Sequence, residues 1–224
     1  KSAAVLLPDA DFGQAMPSPM TYSMPITGQV CFSLTRILVP AARQQEFLDR
    51  FIPAVRAIRV GDPFDPATQM GPLAMARQRE RVEGYIAAGR AEGARLACGG
   101  GRPAGLERGF YVEPTVFVDV QPQMKIAQEE VFGPVVAAIP YADEDDAVAK
   151  ANATPYGFNG AVYSADPERA FAFARRMRTG SLTVNGLIVD PKHPFGGYRE
   201  SGMGREGGPE GLENDLEAKT VHMA

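Results

Sequence analysis

Cysteine is nearly absent from the chain: two among 224 residues, Cys31 and Cys98. That excludes a disulfide scaffold and favours a reducing, cytoplasmic setting. The two histidines, His193 and His222, stand far from any paired cysteines, so zinc-ligand spacing is missing and no metal site is expected. No apolar run approaches the ~20 residues that cross a bilayer, and the opening run Ala3–Leu7 is too short for a signal-peptide core. Charge of one sign is lacking too. Against 23 basic residues stand 27 acidic ones, a net charge of −4. With no basic block and no interleaving of aromatic and basic residues, nucleic acid is excluded as a partner. There is no Gly-x-Ser-x-Gly elbow, so His193 and Ser201 do not make a serine hydrolase. Gly99-Gly100-Gly101 lacks a following Lys-Ser/Thr and reads as a hairpin tip, not a phosphate loop. Cys98 beside it reads as structural. The first residue is Lys1 instead of Met, the sign of a chain trimmed or belonging to something longer.

What is present reads as α/β. The apolar fraction of 45% can bury a sizeable core, and the length suits one large domain or two small ones. Ala3–Leu7, Leu34–Val39, Arg95–Ala97, Tyr111–Val118, a run through Ile139, Gly160–Tyr163 and Ser181–Val184 have strand character. Between them, Gln44–Ile58, Met75–Glu92, Asp143–Asn152 and Pro167–Arg178 have helical periodicity or helix-end signals. Pro17, Pro19 and Pro25 predict a broken helix before residue 28, because a proline inside a helix removes a donor and clashes with the preceding turn. Pro114 marks an edge strand or a strand start. Strands alternating with helices predict a mostly parallel sheet with helices on both faces. A short helix, Pro209–Leu216, and a terminal strand, Lys219–Met223, close the chain. That strand stays exposed unless it joins a sheet in another domain or subunit.

The stretch Gly28-Gln29-Val30-Cys31-Phe32-Ser33 sets a thiol between a glycine-containing turn and a β-rich run. A nucleophilic cysteine needs access, a lowered pKa and N–H donors for an oxyanion, and such a turn can provide them. Taken alone, the window favours the reading that Cys31 is a small buried hydrophobe, as most free cysteines are. Glu129-Glu130 alone reads as a solvated acidic pair, and Phe195 alone is as easily a core residue as a site residue.

Four stretches in order resemble the aldehyde dehydrogenase superfamily: GQVCFSLTRILVP around Cys31, QEEVFGPV from Gln128, SLTVN ending at Asn185, and PFGGYRESGMGREGG from Pro194. The opening KSAAVLLPDAD resembles the segment that follows the family's Glu-Leu-Gly-Gly. The resemblance covers nearly the whole chain and is to the family's C-terminal, catalytic half. It implies that Cys31 is the catalytic thiol. It implies that Glu130 holds the nicotinamide ribose hydroxyls of NAD (NADP is also possible), with Phe132 beside the nicotinamide. Val30, Phe32, Val189 and Phe195 would line the substrate tunnel, and Asn185 would hold the loop around the thiol. It implies oxidation of a small-molecule aldehyde to an acid, with residues 1–207 as the catalytic domain. Residues 208–224 would form a helix and strand through which identical subunits assemble as a dimer or tetramer. The N-terminal NAD-binding domain, with the general base and the side-chain amide of the oxyanion site, is absent from this chain. The chain alone is therefore expected to be inactive as a dehydrogenase. Ile26 departs from the family, which usually carries a polar asparagine there. Two other readings stay open: a cofactor-independent cysteine esterase or acyl transferase, and a non-catalytic truncated assembly subunit.

Overall fold

The computed structural model describes residues 1–224. Seven strands form one sheet: β1 (Ala3–Leu6), β2 (Arg36–Pro40), β3 (Arg95–Cys98), β4 (Thr115–Val118), β5 (Val135–Tyr141), β7 (Gly160–Tyr163) and β8 (Thr183–Val184), in spatial order β3-β4-β5-β2-β1-β7-β8. Every pairing is parallel except β3 with β4. A separate two-stranded ribbon joins β6 (Tyr156–Gly157) to β9 (Tyr198–Arg199).

Alternation along each strand divides the core in two. Val5, Leu38, Phe117, Ala137, Ile139 and Val162 point to one face. There they meet α4 (Ala76–Ala91), α5 (Lys125–Gln128), α6 (Glu144–Asn152) and α7 (Pro167–Ala174) through Val82, Ile86, Ile126, Ala147 and Phe173. Ala4, Leu6, Ile37, Val39, Val116 and Tyr163 point to the other. That face is covered by α1 (Phe12–Ala15), α2 (Pro17–Ser23) and α3 (Gln44–Arg56) through Phe12, Met16, Phe47, Phe51 and Val55. Both faces are buried, which is why the strands read as nearly continuous apolar runs. The expectation of a mostly parallel α/β sheet with helices on both faces is met.

The broken helix also appears. Asp11 caps α1 by accepting from the N–H groups of Gly13 and Gln14, and Pro17 restarts the chain as α2. Pro114 lies just before β4, which is an interior strand, so it marks a start and not an edge. The predicted helix over 167–178 ends early, at Ala174. Asn152 donates to the Arg176 carbonyl and accepts from the Arg178 N–H, drawing the chain off the helix toward β8. The predicted hairpin tip begins a long connection, 99–114. A Cβ on Gly99 would stand 2.1 Å from the Pro114 carbonyl oxygen, so that position requires glycine.

The terminal strand does not form within this chain. After α8 (Gly208–Glu213) the chain takes no regular structure, and Leu216, Val221 and Met223 are exposed. Lys219–Met223 finds no strand of its own chain to pair with, and an extended segment without a partner has no ladder of hydrogen bonds to hold it.

Candidate active site

Parallel strands bring their amino ends to one edge of the sheet, and three of them converge here. Lys1 and Ser2 lead into β1, Cys31–Thr35 into β2, and Glu130–Pro134 into β5. This is the edge opposite the carboxyl ends, where ligands usually bind in open α/β sheets. The carboxyl-end cleft exists as well, about 410 Å³ lined by Asp11, Gln14, Ser18, Ser164 and Asn185, but Cys31 is not in its wall.

The thiol loop is built on three successive left-handed residues: Ile26 (φ 50°), Thr27 (φ 58°) and Gly28 (φ 70°). Gly28 lies flat against the second loop. A Cβ there would stand 2.1 Å from the Gly133 carbonyl oxygen, so the backbones before Cys31 and after Glu130 touch. Thr27 Oγ1 donates to the Gly71 carbonyl and Gln29 Oε1 accepts from the Ala74 N–H, fixing the loop from the other side. Ile26 carries the strain of this arrangement. It is β-branched, left-handed and 77% exposed, so no packing compensates for the crowding of its Cβ. Ile26→Asn is expected to stabilise the protein by about 1 kcal/mol, because asparagine tolerates this conformation. Thermal or denaturant melting checks this, and an unchanged or lower midpoint contradicts it.

Cys31 is exposed, and the N–H groups of Cys31 and Phe32 face its sulfur. Access and donors are therefore both present. The lowered pKa expected of a nucleophile is not. Partial burial in the loop pushes the thiol above its ordinary value, the two N–H groups oppose this, and the carboxylates of Glu130 and Glu206 raise it further. No side chain of this chain is hydrogen-bonded to the sulfur. Since the thiolate is the reactive form, alkylation of Cys31 by iodoacetamide is expected to keep accelerating as pH rises past 9. A rate that levels off below pH 8 contradicts this.

Glu130 is exposed and shares two clefts with Cys31. The smaller, about 20 Å³, has Ser2, Val30, Ser33, Glu130 and Phe132 in its wall. The hydroxyls of Ser2 and Ser33 are buried there without a partner. The larger, about 230 Å³, adds Tyr156, Phe158, Glu200 and Ser201. Phe132 is left-handed (φ 57°) and is held so by α4. Gln78 Nε2 donates to the Val131 and Phe132 carbonyls at 3.2 and 2.6 Å, Arg81 donates to the Glu130 carbonyl, and Tyr85 donates to Glu129 Oε2 at 2.7 Å. Residues 78, 81 and 85 share one face of the helix, so a single surface carries the whole loop. This clamp was not foreseen from the sequence. Its only signal was the helical spacing of three polar residues.

A third cleft, about 500 Å³, opens from Cys31 past Phe158, Phe195, Gly196, Gly197, Met203 and Glu206. The Phe32 and Phe195 rings meet edge-to-face at 6.3 Å. Phe195 is pinned by reciprocal backbone hydrogen bonds with Glu206, both 2.7 Å.

Two expected residues fall elsewhere. Val189 is 45% exposed, its neighbour Ile188 is 70% exposed, and neither is in the wall of a cleft that holds Cys31. Asn185 does not reach the thiol loop. Its Oδ1 accepts from the Ser164 N–H and its Nδ2 donates to the Ser164 carbonyl, tying the ends of β7 and β8 at the carboxyl edge. A left-handed backbone at Asn185 (φ 53°) turns the amide back along the neighbouring strand. Arg36, by contrast, is a site-supporting residue that the sequence did not single out. It is buried without a carboxylate partner and donates to the carbonyls of Lys1, Lys150 and Ala151, which holds the lead into β1 beside the thiol.

The comparisons with known proteins agree on one family. The family model described as "Aldehyde dehydrogenase family" matches residues 1–221. Betaine aldehyde dehydrogenases of Brucella ovis and Brucella abortus are 43% identical over 226 residues, taking in 100% of this chain and 46% of each relative. An aldehyde dehydrogenase of Mycobacterium tuberculosis, solved as a complex with NAD+, is 50% identical with a TM-score of 0.94, covering 96% of this chain and 44% of that one. A mutant of aldehyde dehydrogenase C from Pseudomonas syringae, solved with NAD+ and octanal, is 45% identical with a TM-score of 0.94, over 97% of this chain and 45% of that one. The chain spans about half the length of the curated relatives it matches.

Proposed function

As the chain belongs to the aldehyde dehydrogenase family, we propose that it supplies the thiol-bearing part of an enzyme that oxidises an aldehyde to a carboxylic acid with NAD+. The observation that carries this reading is the pairing of an exposed Cys31 with Glu130 across a shared cleft, their loops joined backbone to backbone at Gly28 and Gly133.

Each residue then has a task. Cys31 Sγ, once deprotonated, attacks the carbonyl carbon of the aldehyde to form a thiohemiacetal, and the nearby N–H groups of Cys31 and Phe32 stabilise its oxyanion. The raised thiol pKa means that a base has to remove the proton first. The Glu130 carboxylate would hold the cofactor by accepting charge-assisted hydrogen bonds from two ribose hydroxyls, and the Phe132 ring would give an apolar wall beside them. An exposed carboxylate on a rigid loop, opening on a 230 Å³ cleft, suits the nicotinamide riboside end of the cofactor. When bound, NAD+ supplies the hydride acceptor that turns the adduct on Cys31 into a thioester. Water releases the acid from Cys31. Val30, Phe32 and Phe195 border the path to the sulfur.

In the gene product that carries this chain, Glu130→Ala is expected to raise KM for NAD+ by roughly 10- to 100-fold, the cost of two charge-assisted hydrogen bonds. An unchanged KM refutes the clamp. The clefts that Cys31 shares with Glu130 offer a dinucleotide two carboxylates, Glu130 and Glu200, the aromatic walls of Phe132, Tyr156 and Phe158, and a single cation, Lys1, whose ammonium pKa burial lowers to about 7. The 224-residue chain alone is therefore proposed to bind NAD+ weakly and to lack dehydrogenase activity. Aldehyde-dependent NADH formation by that chain overturns this part.

A second reading, cofactor-independent esterase or acyl transfer at Cys31, draws on the exposed sulfur and its N–H donors, which need no nucleotide. Alkylation of Cys31 with and without NAD+ separates the two, since only a cofactor-dependent site changes its reactivity. Residues 1–207 are proposed as the catalytic unit, within a cytoplasmic enzyme. Residues 208–224, which expose Leu212, Leu216, Val221 and Met223, are proposed as the segment through which copies assemble.

A further inference from the structure

The two larger clefts that meet at Cys31 share three residues: Cys31 itself, Phe158 and Ser201. One cleft carries Glu130, Tyr156 and Glu200, the other Phe195, Met203 and the glycines around them. We infer that Phe158 is a specificity-determining residue, the partition between the nucleotide side and the aldehyde side of the thiol, which limits bulk next to the reacting carbonyl. The inference rests on the dehydrogenase reading above for what fills each cleft. For the partition itself it rests only on geometry.

Phe158 is well placed for this. It stands between the ribbon strand β6 and the sheet strand β7, and its carbonyl accepts from the N–H groups of both Gly180 and Ser181. The backbone before it is held as well, because Gly157 N–H donates to Ser201 Oγ at 3.0 Å. A Cβ on Gly157 would stand 2.4 Å from the Arg178 carbonyl oxygen, so this ledge has little room to move. The ring meets Phe195 at 4.9 Å with an interplanar angle of 63°, and Phe195 in turn meets Phe32. A chain of three rings thus runs along the aldehyde side from the residue after Cys31 to Phe158. A half-buried ring between two open clefts holds up no core, so its presence is better accounted for by what it separates. Aldehydes branched at the carbon next to the carbonyl would press on this ring, whereas unbranched ones would pass between Phe158 and Phe195.

The test compares Phe158→Ala and Phe158→Leu with the wild-type gene product on propanal, octanal, 2-methylpropanal and 2-phenylpropanal. Truncation is expected to raise kcat/KM for the branched aldehydes relative to propanal by about tenfold or more, in the range that a few methylenes of pocket volume command. Leucine should fall between alanine and the wild type. Alkylation of Cys31 by a bulky aryl maleimide should accelerate in Phe158→Ala relative to iodoacetamide. A change by the same factor for every aldehyde, together with an unchanged ratio of the two alkylation rates, overturns the assignment of Phe158. If the wild type oxidises none of the four, the dehydrogenase reading fails. The alkylation ratio then still decides whether Phe158 screens the sulfur.

Discussion

Replacing Cys31 by alanine in the gene product that carries this chain is expected to lower aldehyde oxidation by more than about a thousandfold, as loss of a covalent nucleophile does elsewhere. Serine at the same position should be nearly as inactive, because its hydroxyl has a far higher pKa than a thiol. The expectation follows from location more than from residue type. Cys98 is also a free thiol, but it is buried in the core at the end of β3 and lines none of the clefts described above. Cys31 is exposed and lines three clefts at the amino edge of the sheet. The fold should tolerate the change, since the sulfur makes no core contact, so melting should be unaffected while turnover disappears. Wild-type turnover by the alanine variant would remove Cys31 from the chemistry altogether.

Gly28→Ala is expected to cost about 2–4 kcal/mol of stability and most of the activity. Two penalties combine. A left-handed backbone at φ +70° is unfavourable for any residue with a Cβ, by about 1–2 kcal/mol. The new methyl would also lie 2.1 Å from the Gly133 carbonyl oxygen and 2.8 Å from the Pro134 nitrogen, and backbone, unlike a flexible side chain, cannot swing away. Gly133 cannot retreat, because Val82 of α4 lies directly behind it. The two loops must separate, and Cys31 then loses its register with Glu130. Melting and turnover should fall together. A variant within about 0.5 kcal/mol of the wild type, the range of a neutral surface change, would mean that the loops are not in backbone contact.

Much of this architecture could be read directly from the residues. The strands from Ala3, Arg36, Val135 and Gly160 carry long β-branched and apolar runs, and burial on both faces leaves no other place for them. The helix over 44–56 follows from its own periodicity, and the end of the helix over 76–91 from the left-handed Gly93 that follows it. The break before the thiol follows from Pro17, Pro19 and Pro25. The sites at Cys31, Glu130 and Phe195 were legible as motifs, since each depends on a short local stretch. Less legible was anything set by meeting partners. Phe158 sits in an unremarkable Tyr-Gly-Phe-Asn run and matters only because that run ends between two clefts. Asn185 was expected near the thiol, yet the direction of its amide depends on a left-handed turn that placed it against Ser164. The terminal strand was drawn from local β-propensity, which cannot supply the neighbouring strand that it requires.

The sequence by itself therefore determined the class of fold and pointed to Cys31 as the candidate nucleophile, because hydrophobic period and short motifs are local properties. Only the tertiary structure decided that the thiol would be raised in pKa instead of lowered. Burial of the thiol in its folded loop is the main cause, and the charges that add to it, Glu130 and Glu206, lie about 100 and 175 positions further along the chain; burial and an electrostatic field both depend on distance in space, which a linear order of residues does not contain.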